Sequence, residues 1–367
     1  MIVGIDGRPI EGKKITGIGE YTKNLLHGLS LAGIRCNLYC TRVPKKINIP
    51  KNTKLKILKT KNKYFFEQIF LYQELSKNPP DIYHATTGLG LPLFYKGPLV
   101  LTIHDIIPIT RKNYFKNSKF PIISKKLFFI NTKAAIYKAE KIISISKTTK
   151  INIIKNFDIK KNKIKVIYPG IFTPKKMNFK IIKRFGLEKS SFVLNNGGIS
   201  ERKNLKRLIE SFVFVNKVYP RTKLVITGEN TLYQKSLKKI AEYTGVEKNI
   251  IFTGFIERDC LWALVKKSDF ICYPSEDEGF GLPIIEAVEL GKPIILSDIP
   301  VFREIAKDFA LFINQNSARS IARGIIELKN KKLLQKNLIR KSSYKKNFFS
   351  WEKTIRKTIE VYKKIIK

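Results

Sequence analysis

The sequence has 367 residues, of which 43% are hydrophobic, and this length and composition predict two ordinary globular domains. No stretch reaches the roughly 18–20 apolar residues of a membrane-spanning helix, and the start lacks a signal-peptide pattern, so we expect a cytoplasmic protein. The formal net charge of +42 favours an anionic lipid or nucleic-acid partner, or else reflects an A/T-rich coding bias.

Short β-branched runs alternate with amphipathic stretches along most of the chain. This alternation predicts an α/β fold with parallel sheets and helices on both faces. The first series of predicted strands is 2–5, 37–41, 54–58, 81–85, 99–103, 141–145 and 163–167. The second series is 192–195, 223–227, 250–253, 270–273, 293–296 and 310–312. Helices are predicted between strands, for example at 21–31, 205–217, 233–244 and 317–328.

A turn-rich segment, 168–174, separates the two series and contains two prolines, which cannot continue a helix or a central strand. We therefore predict an N-terminal domain over 1–170 and a C-terminal domain over 171–349. A last helix over 350–367, with Ser350 as its cap, is expected to pack back on the N-terminal domain.

Two motifs follow predicted strands of the first series. Gly17-Ile18-Gly19 precedes the helix predicted at 21–31, where closely spaced glycines let backbone amides approach a phosphate. It matches neither a P-loop nor a dinucleotide fingerprint, and the alternative is a simple tight turn. His104 ends an apolar strand, at the edge where parallel sheets bind ligands, although such a histidine can also be a core residue. His84 is a weaker candidate for the same edge.

Two further motifs lie in the second series. Gly197 and Gly198 are followed by Arg202-Lys203 at a helix start, which suits a diphosphate because two cations adjoin oriented N–H groups. Glu278 and Glu286 bracket a Gly-Phe-Gly-Leu-Pro turn that opens another helix. A carboxylate aimed into a cleft there would accept hydrogen bonds from vicinal sugar hydroxyls.

The two glutamates, the following 291–300 segment and Arg202-Lys203 together resemble family 4 of the retaining glycosyltransferases. The resemblance runs from Asp6-Gly7-Arg8-Pro9 to the Phe349–Glu352 tail and so covers nearly the whole chain. It implies the GT-B fold, in which two Rossmann-like domains face each other across a cleft. It also implies a nucleoside-diphosphate sugar as substrate, with no cofactor and no bound metal.

By matching positions, the resemblance implies that Arg202 and Lys203 hold the diphosphate and that Glu286 binds the nucleotide ribose. His104 would lie beside the transferred sugar, and the base would contact backbone near Phe255. The implied catalytic set is His104, Arg202, Lys203 and Glu278. The implied donor-binding set is Gly17, Ile18, Gly19, Gly198, Phe255, Gly279, Phe280, Gly281, Leu282 and Glu286.

The opening motifs resemble bacterial mannosyltransferases of surface-polysaccharide assembly. This favours GDP-mannose as donor, with a UDP-sugar as the alternative, and a lipid-linked glycan or polysaccharide precursor as acceptor. The resemblance implies front-face attack, in which the departing phosphate takes the acceptor's proton. A paired-carboxylate mechanism is the alternative chemistry.

The N-terminal half is the more basic, with 35 Lys and Arg against 9 Asp and Glu in residues 1–180. Within it, residues 111–129, from Arg111 to Phe129, interleave cations with aromatic residues. Such a segment can lie on the anionic inner face of the cell membrane. The alternative is a solvated basic face whose aromatic side chains point inward.

The cysteines Cys36, Cys40, Cys260 and Cys272 contain no Cys-x-x-Cys pair, and no His-Glu-x-x-His motif is present. We therefore expect reduced structural thiols and no metal site. A basic nucleic-acid-binding protein remains a competing class, but no RNA-binding or zinc-finger signature supports it, and we expect no nucleic-acid partner. A non-catalytic nucleotide-sugar-binding relative and a sugar-nucleotide epimerase are further competing classes.

Overall fold

The computed structural model describes residues 1–12, 14–88, 90–112, 114–116, 118–171 and 176–366. The chain divides into an N-terminal unit, Met1–Gly170 with Phe349–Lys367, and a C-terminal unit, Ile171–Phe348. The ring of Phe349 packs against Tyr168 with centroids 6.2 Å apart, which places it in the N-terminal unit and not, as predicted, in the C-terminal domain. Of the turn-rich segment, residues 172–174 lie outside the described residues.

The N-terminal unit contains a seven-stranded parallel sheet with the order β3-β2-β1-β4-β5-β6-β7. In this order β1 lies between β2 and β4, with Ile5 level with both Leu38 and His84. The chain therefore reverses direction across the sheet between β1 and β4, the position at which open α/β sheets bind ligands. The strands are β1 Ile2–Asp6, β2 Arg35–Cys40, β3 Thr53–Ile57, β4 Ile82–Ala85, β5 Leu99–Ile103, β6 Lys141–Ser144 and β7 Ile164–Val166.

Helices pack on this sheet, and its central strands β4 and β5 are buried along their whole length. Ser146 begins one of them, α6, by accepting a 3.0 Å hydrogen bond from the Thr149 N–H. The helices are α1 Gly17–Leu31, α2 Lys63–Phe65, α3 Leu71–Lys77, α4 Ile107–Thr110, α5 Pro121–Lys138 and α6 Lys147–Phe157. A π-helical segment, Phe66–Phe70, joins α2 to α3, and 3₁₀ turns occur at Arg8–Ile10 and Lys161–Lys163.

The C-terminal unit repeats this plan with a six-stranded parallel sheet of order β10-β9-β8-β11-β12-β13. Here the chain reverses between β8 and β11. The strands are β8 Phe192–Asn195, β9 Lys223–Ile226, β10 Ile250–Phe252, β11 Phe270–Tyr273, β12 Ile294–Ser297 and β13 Leu311–Ile313. All thirteen predicted strands are therefore confirmed, with ends within two residues of the predicted ones.

The C-terminal sheet is likewise covered by helices, and its core includes Phe212 of α8 and Ile325 of α13. The helices are α7 Lys180–Arg184, α8 Leu205–Val218, α9 Leu232–Tyr243, α10 Arg258–Lys267, α11 Leu282–Glu289, α12 Pro300–Ala306, α13 Ala318–Asn330 and α14 Lys332–Ser343. The 3₁₀ turns of this unit are Glu201–Lys203, Glu247–Asn249 and Lys346–Phe348.

The last helix, α15 Trp351–Ile366, belongs to the N-terminal unit. The Ser350 hydroxyl oxygen accepts a hydrogen bond from the Lys353 N–H at 3.3 Å, as expected of a cap. The helix packs on α1 at Gly28, where a Cβ atom would lie 2.3 Å from Ile355 Cγ1. Its Tyr362 hydroxyl lies 2.6 Å from Nδ1 of the buried His84. α15 is thus part of the first unit's packing and of its buried polar network.

Candidate functional site

The two loops at the reversal point of the C-terminal sheet bring the predicted cations and carboxylate together. Arg202 and Lys203 follow β8, and Glu278 follows β11, the strand next to β8 in the sheet. Nη1 of Arg202 lies 2.6 Å from Oε2 of Glu278, and Nζ of Lys203 lies 2.5 Å from Oε1. This Arg–Lys–Glu cluster is the centre of the candidate site.

The cluster is largely removed from water, with only 7% of the side chains of Lys203 and Glu278 exposed and 28% of that of Arg202. The Tyr273 hydroxyl accepts from Nζ of Lys203 at 2.5 Å and donates to Oε1 of Glu278 at 2.7 Å. Burial opposes ionisation of Glu278, but Lys203 and Arg202 outweigh it and lower its pKa to about 2. The cluster therefore carries two cations and one anion at neutral pH.

Backbone geometry holds the loop after β8, which carries Arg202 and Lys203, against the loop after β11. Asn204 adopts a left-handed conformation with φ of 57°, and its side-chain amide donates to the Pro274 and Gln315 carbonyls at 3.1 and 2.7 Å. Gly197 is required because a Cβ atom there would lie 2.2 Å from the Tyr273 ring. The cations are thus held by a rigid backbone, which limits the reorganisation needed to bind an anion.

The Gly279–Leu282 turn leads into α11. Gly281 caps the helix at φ of 102°, where a Cβ atom would lie 2.9 Å from Ile284 Cδ1, so only glycine fits. Pro283 occupies the first turn of the helix, as predicted, and Phe280 is buried. The turn therefore brings backbone amides to the helix start beside Glu278.

Glu286 lies one turn into α11 and is 3% exposed. Its Oε2 accepts a hydrogen bond from the Asn196 amide at 2.5 Å, and its Oε1 accepts from Nη1 of Arg258 at 2.9 Å. Arg258 itself stacks over the Trp262 ring at 5.4 Å. This carboxylate is held at a defined position by two donors from other strand-end segments.

Gly198 and Phe255 lie at the same edge of the C-terminal sheet. Gly198 has φ of 80°, and a Cβ atom on Gly228, which follows β9, would lie 2.8 Å from Gly198 Cα. The Gly228 N–H donates to the Gly254 carbonyl at 3.2 Å, which connects this contact to Phe255. Phe255 is 39% exposed. These three strand-end segments thus approach one another through glycines.

Gly17-Ile18-Gly19 form the first turn of α1, so the prediction of a loop before a helix at 21–31 was wrong. The helix starts earlier because Thr16 caps it, its side chain accepting from the Gly19 N–H at 3.4 Å. A Cβ atom at Gly19 would lie 2.5 Å from the Pro9 carbonyl oxygen, so this glycine permits a close packing contact. The motif remains at the carboxyl edge of the N-terminal sheet.

His104 follows β5 at that edge. Its Nε2 lies 2.8 Å from the Thr86 carbonyl oxygen, which can only accept, so Nε2 carries the hydrogen and Nδ1 a lone pair. The ring makes an edge contact with Tyr21 at 5.0 Å. Burial lowers the pKa of His104 to about 4, and the ring is neutral at neutral pH.

His84 is completely buried, with Nδ1 next to the Tyr362 hydroxyl and Nε2 2.7 Å from the Thr102 hydroxyl. Both ring nitrogens are therefore used within the N-terminal unit. Burial and, to a smaller extent, His104 lower its pKa to about 3. This arrangement is that of a structural histidine and not of a ligand-binding one.

Residues 111–129 show both inward and outward side chains, with Asn113 and Asn117 outside the described residues. Phe128 contacts Phe115, and Phe129 stacks on Phe157 at 5.2 Å, so these aromatic rings point inward. The outer face of α5 instead exposes aliphatic side chains: Ile122 by 82%, Ile123 by 56%, Leu127 by 54% and Ile130 by 52%.

Membrane-spanning helices and metal centres are both absent from the part of the chain that the structure describes. There, no helix combines the length and apolarity needed to cross a membrane. No group of three or more His, Cys, Asp or Glu residues in the same ranges is arranged to hold a metal ion. All four cysteines are unpaired thiols, and Cys260 alone among them is not buried.

Residues 15–173 match the family described as Glycosyltransferase Family 4, and residues 177–345 match the one described as Glycosyl transferases group 1. Together the matches span both units. The chain therefore belongs to the glycosyltransferases that these two descriptions name. Its two parallel-sheet units are those of the GT-B fold.

Among known proteins, the chain is 32% identical over 237 residues to O-antigen chain mannosyltransferase RfbU of Salmonella typhimurium. That match covers 64% of this chain and 62% of the relative's length. O-antigen chain mannosyltransferase B of Escherichia coli is 24% identical over 270 residues, 72% of this chain and 70% of the relative. The structure of Anabaena Alr3699/HepE with UDP-glucose has a TM-score of 0.76 at 16% identity, covering 99% of each chain.

Proposed function

We propose that the chain is a retaining hexosyltransferase that transfers a sugar from a nucleoside diphosphate to a hydroxyl of a lipid-linked glycan or polysaccharide precursor. The observation that carries this proposal is the Arg202–Lys203–Glu278 cluster, which places two fixed cations at the reversal point of the C-terminal sheet. Membership of the glycosyltransferase family supports it, as do relatives named as O-antigen mannosyltransferases.

In this proposal, the cations stabilise the diphosphate leaving group. Arg202, the more exposed of the two, contacts the phosphate oxygens directly, and Lys203 contributes its charge from a buried position. Glu278 keeps both cations in place and also contacts the donor sugar. These charges would do the work that a divalent metal does in other transferases, so we propose a metal-independent reaction without a cofactor.

The nucleoside is proposed to bind along the same edge. Glu286, held by Asn196 and Arg258, accepts hydrogen bonds from the ribose hydroxyls. The amides of Gly279, Phe280, Gly281 and Leu282 contact the donor sugar. Gly198 lets the backbone approach the phosphates closely, and the backbone near Phe255 contacts the base.

The N-terminal unit is proposed to supply the remaining groups. The neutral His104 presents a lone pair on Nδ1, which suits it to accept a hydrogen bond from a hydroxyl of the transferred sugar. Gly17, Ile18 and Gly19, at the start of α1, are proposed to contact the phosphates with their amides.

Transfer then requires one bond exchange at the anomeric carbon. The bond from that carbon to the phosphate oxygen breaks, and the acceptor oxygen bonds to the same face through an oxocarbenium-like state. The acceptor's proton passes to the departing phosphate oxygen. No protein nucleophile is needed, which agrees with Glu278 being engaged by two cations.

For the donor we propose GDP-mannose, because the relative with 32% identity is a mannosyltransferase. A UDP-sugar is the alternative, since the similarly folded HepE was solved with UDP-glucose. A thermal-shift panel of GDP- and UDP-sugars distinguishes them. The true donor raises the melting temperature of the folded chain, and no stabilisation by any nucleotide sugar would contradict the proposal.

Glu286→Gln tests the ribose contact. The amide accepts fewer hydrogen bonds, so we expect donor affinity to fall about tenfold or more, measured by calorimetric titration. The matched control is Glu327→Gln on α13, which removes a carboxylate that pairs with Lys331 and should leave donor affinity unchanged. If Glu286→Gln abolished turnover but kept donor affinity, the paired-carboxylate mechanism would replace ours.

We also propose that the chain works at the inner membrane surface as a peripheral protein. The exposed aliphatic side chains of α5 would insert among lipid headgroups. The exposed Lys126 and Lys133 of the same helix would bind anionic lipids at about 1 kcal/mol each.

A further inference from the structure

A second concave site lies within the N-terminal unit, at the carboxyl edge of its sheet. The cavity has a volume of about 970 Å³, in the range of small-molecule sites. Segments that follow four strands form its walls: β1 supplies Arg8 and Glu11, β2 supplies Thr41 and Arg42, and β4 supplies Thr87. The segment 59–63 after β3 forms the remaining side.

Cations outnumber carboxylates among the residues that line this cavity. The described residues that line it include five cations and a single carboxylate, Glu11. Glu11 is already engaged, since its Oε2 accepts from the Thr41 hydroxyl at 2.6 Å and lies 3.9 Å from Nε of Arg42. Lys63 likewise lies 3.9 Å from a carboxylate oxygen of Glu67. In the described part of the chain, neither Lys59 nor Lys61 has an ion-pair partner, and both are exposed. The five cations are Arg8, Arg42, Lys59, Lys61 and Lys63.

The floor of the cavity is rigid. Nε and Nη2 of Arg8 donate to the two carboxylate oxygens of Asp6 at 2.9 and 2.7 Å, and Nη1 lies 2.9 Å from Glu67. Its guanidinium stacks over the buried Phe66 ring at 4.3 Å. A fixed arginine over an aromatic ring, with exposed lysines at the rim, is a suitable arrangement for a multiply charged anion.

We propose that this cavity binds a phosphate ester or diphosphate group of the acceptor. The inference rests on the proposed function, which gives the donor diphosphate its own cations, Arg202 and Lys203, in the C-terminal unit. A second set of cations in the N-terminal unit therefore fits a second anion. Thr16 and Ile18, beside the glycines proposed to contact the donor, form one wall of the cavity.

Hydrogen–deuterium exchange on the full chain tests this, because it reports the two units separately. Inorganic pyrophosphate should slow exchange in the segment 59–63. The double variant Lys59→Gln/Lys61→Gln should weaken this protection about tenfold, while any protection of the segment 276–286 stays unchanged. The control Lys51→Gln/Lys54→Gln removes two exposed lysines at the opposite end of β3 and should behave like the unmodified chain.

Phosphatidylcholine vesicles with and without phosphatidic acid identify the source of the anion. Protection of 59–63 by the phosphatidic acid vesicles alone assigns the cavity to a membrane-held phosphate, and protection by free pyrophosphate assigns it to a soluble one. Either result supports the proposal. Absence of protection by both probes, or equal affinity in the double variant, overturns it.

Protection of 59–63 by the nucleotide-sugar donor, lost in the double variant, would assign the cavity to the donor and also overturn the proposal. Failure of the proposed function is seen separately. In that case no nucleotide sugar raises the melting temperature, whatever pyrophosphate does at 59–63.

Discussion

The Glu278 carboxylate forms ion pairs with Lys203 and Arg202 and accepts a hydrogen bond from Tyr273. Each interaction depends on the charge or the lone pairs of the carboxylate. A buried cation that loses a paired carboxylate is costly, since solvent does not replace the lost interaction. The same carboxylate therefore contributes to folding and, in the proposed function, to donor binding.

Glu278→Gln should lower the free energy of unfolding by about 3 kcal/mol, measured by urea denaturation, because it leaves Lys203 buried beside a neutral amide. Glu276→Gln in the same loop breaks the more exposed pair with Arg207 and should cost less than about 1 kcal/mol. Equal losses in the two variants would show that burial of the cluster contributes nothing.

The lowered pKa values of His84 and His104 predict a dependence of stability on pH. The folded pKa values of His84 and His104 are about 3 and about 4, below the ordinary value of 6.5. At pH values between each folded pKa and 6.5, the histidine binds a proton in the unfolded chain but not in the folded chain. The stability that the two neutral histidines contribute is therefore complete above about pH 6.5 and is lost as the pH falls towards the folded pKa values.

We expect the free energy of unfolding to drop by about 2 kcal/mol per histidine between about pH 7 and about pH 5. Urea denaturation at both pH values measures this change. The variant His84→Asn should show a shallower pH dependence even if it is less stable overall. An unchanged slope in that variant would mean that the buried ring takes up protons as readily as in the unfolded chain.

At the scale of elements, the close contact between α1 and α15 depends on a glycine, Gly28, at the point where the helices meet. Gly28→Ala would place a Cβ atom 2.3 Å from Ile355 Cγ1, so the two helices would have to separate. We expect a loss of about 2 kcal/mol in the free energy of unfolding.

A double-mutant cycle provides the control for this contact. Ile355→Ala removes the atoms that would clash, so the double variant Gly28→Ala/Ile355→Ala should be less destabilised than the sum of the two single variants. Strict additivity in urea denaturation would refute a direct clash between these positions.

The strands could be predicted because a buried parallel strand is a short apolar run between turns, and such runs are visible in one sequence. The start of α1 was mispredicted because closely spaced glycines are typical of turns. Its true start depends on the Thr16 cap and on the contact of Gly19 with the Pro9 carbonyl. A contact of that kind is made in three dimensions and leaves no periodic pattern.

In the candidate site, too, contacts made in three dimensions could not be predicted from the sequence. Arg202, Lys203, Glu278 and Glu286 could be selected because they follow strands or open helices. Their partners Tyr273, Asn196 and Arg258 were not predicted as functional residues, although Tyr273 ends β11, Asn196 directly follows β8 and Arg258 begins α10. Which strand ends lie side by side depends on strand order, and one sequence does not reveal that order.

At the scale of the whole molecule, the charge and the exposed face of α5 predict binding to anionic membranes. The chain should co-sediment with phosphatidylcholine–phosphatidylglycerol vesicles at low salt and be released as salt screens its lysines. No sedimentation at low salt would exclude the membrane proposal.

A pair of variants separates the α5 face from charge alone. Ile123→Ser/Leu127→Ser should reduce vesicle binding about tenfold, because it removes apolar side chains that would enter the headgroup region. Val218→Ser/Leu232→Ser alters similarly exposed side chains in the C-terminal unit and should bind as before. Equal binding by both pairs would assign membrane attachment to charge alone.

The return of α15 to the first unit has a consequence for engineering the chain. In chain order the C-terminal unit is an insertion, which leaves the N-terminal unit after Gly170 and returns at Phe349. The two ends of the interrupted unit are neighbours, since a Cβ atom on Gly170 would lie 2.5 Å from the Ser350 carbonyl carbon. A single splice across that gap would yield one continuous polypeptide with seven strands and its closing helix, whereas cutting at residue 170 would remove that helix.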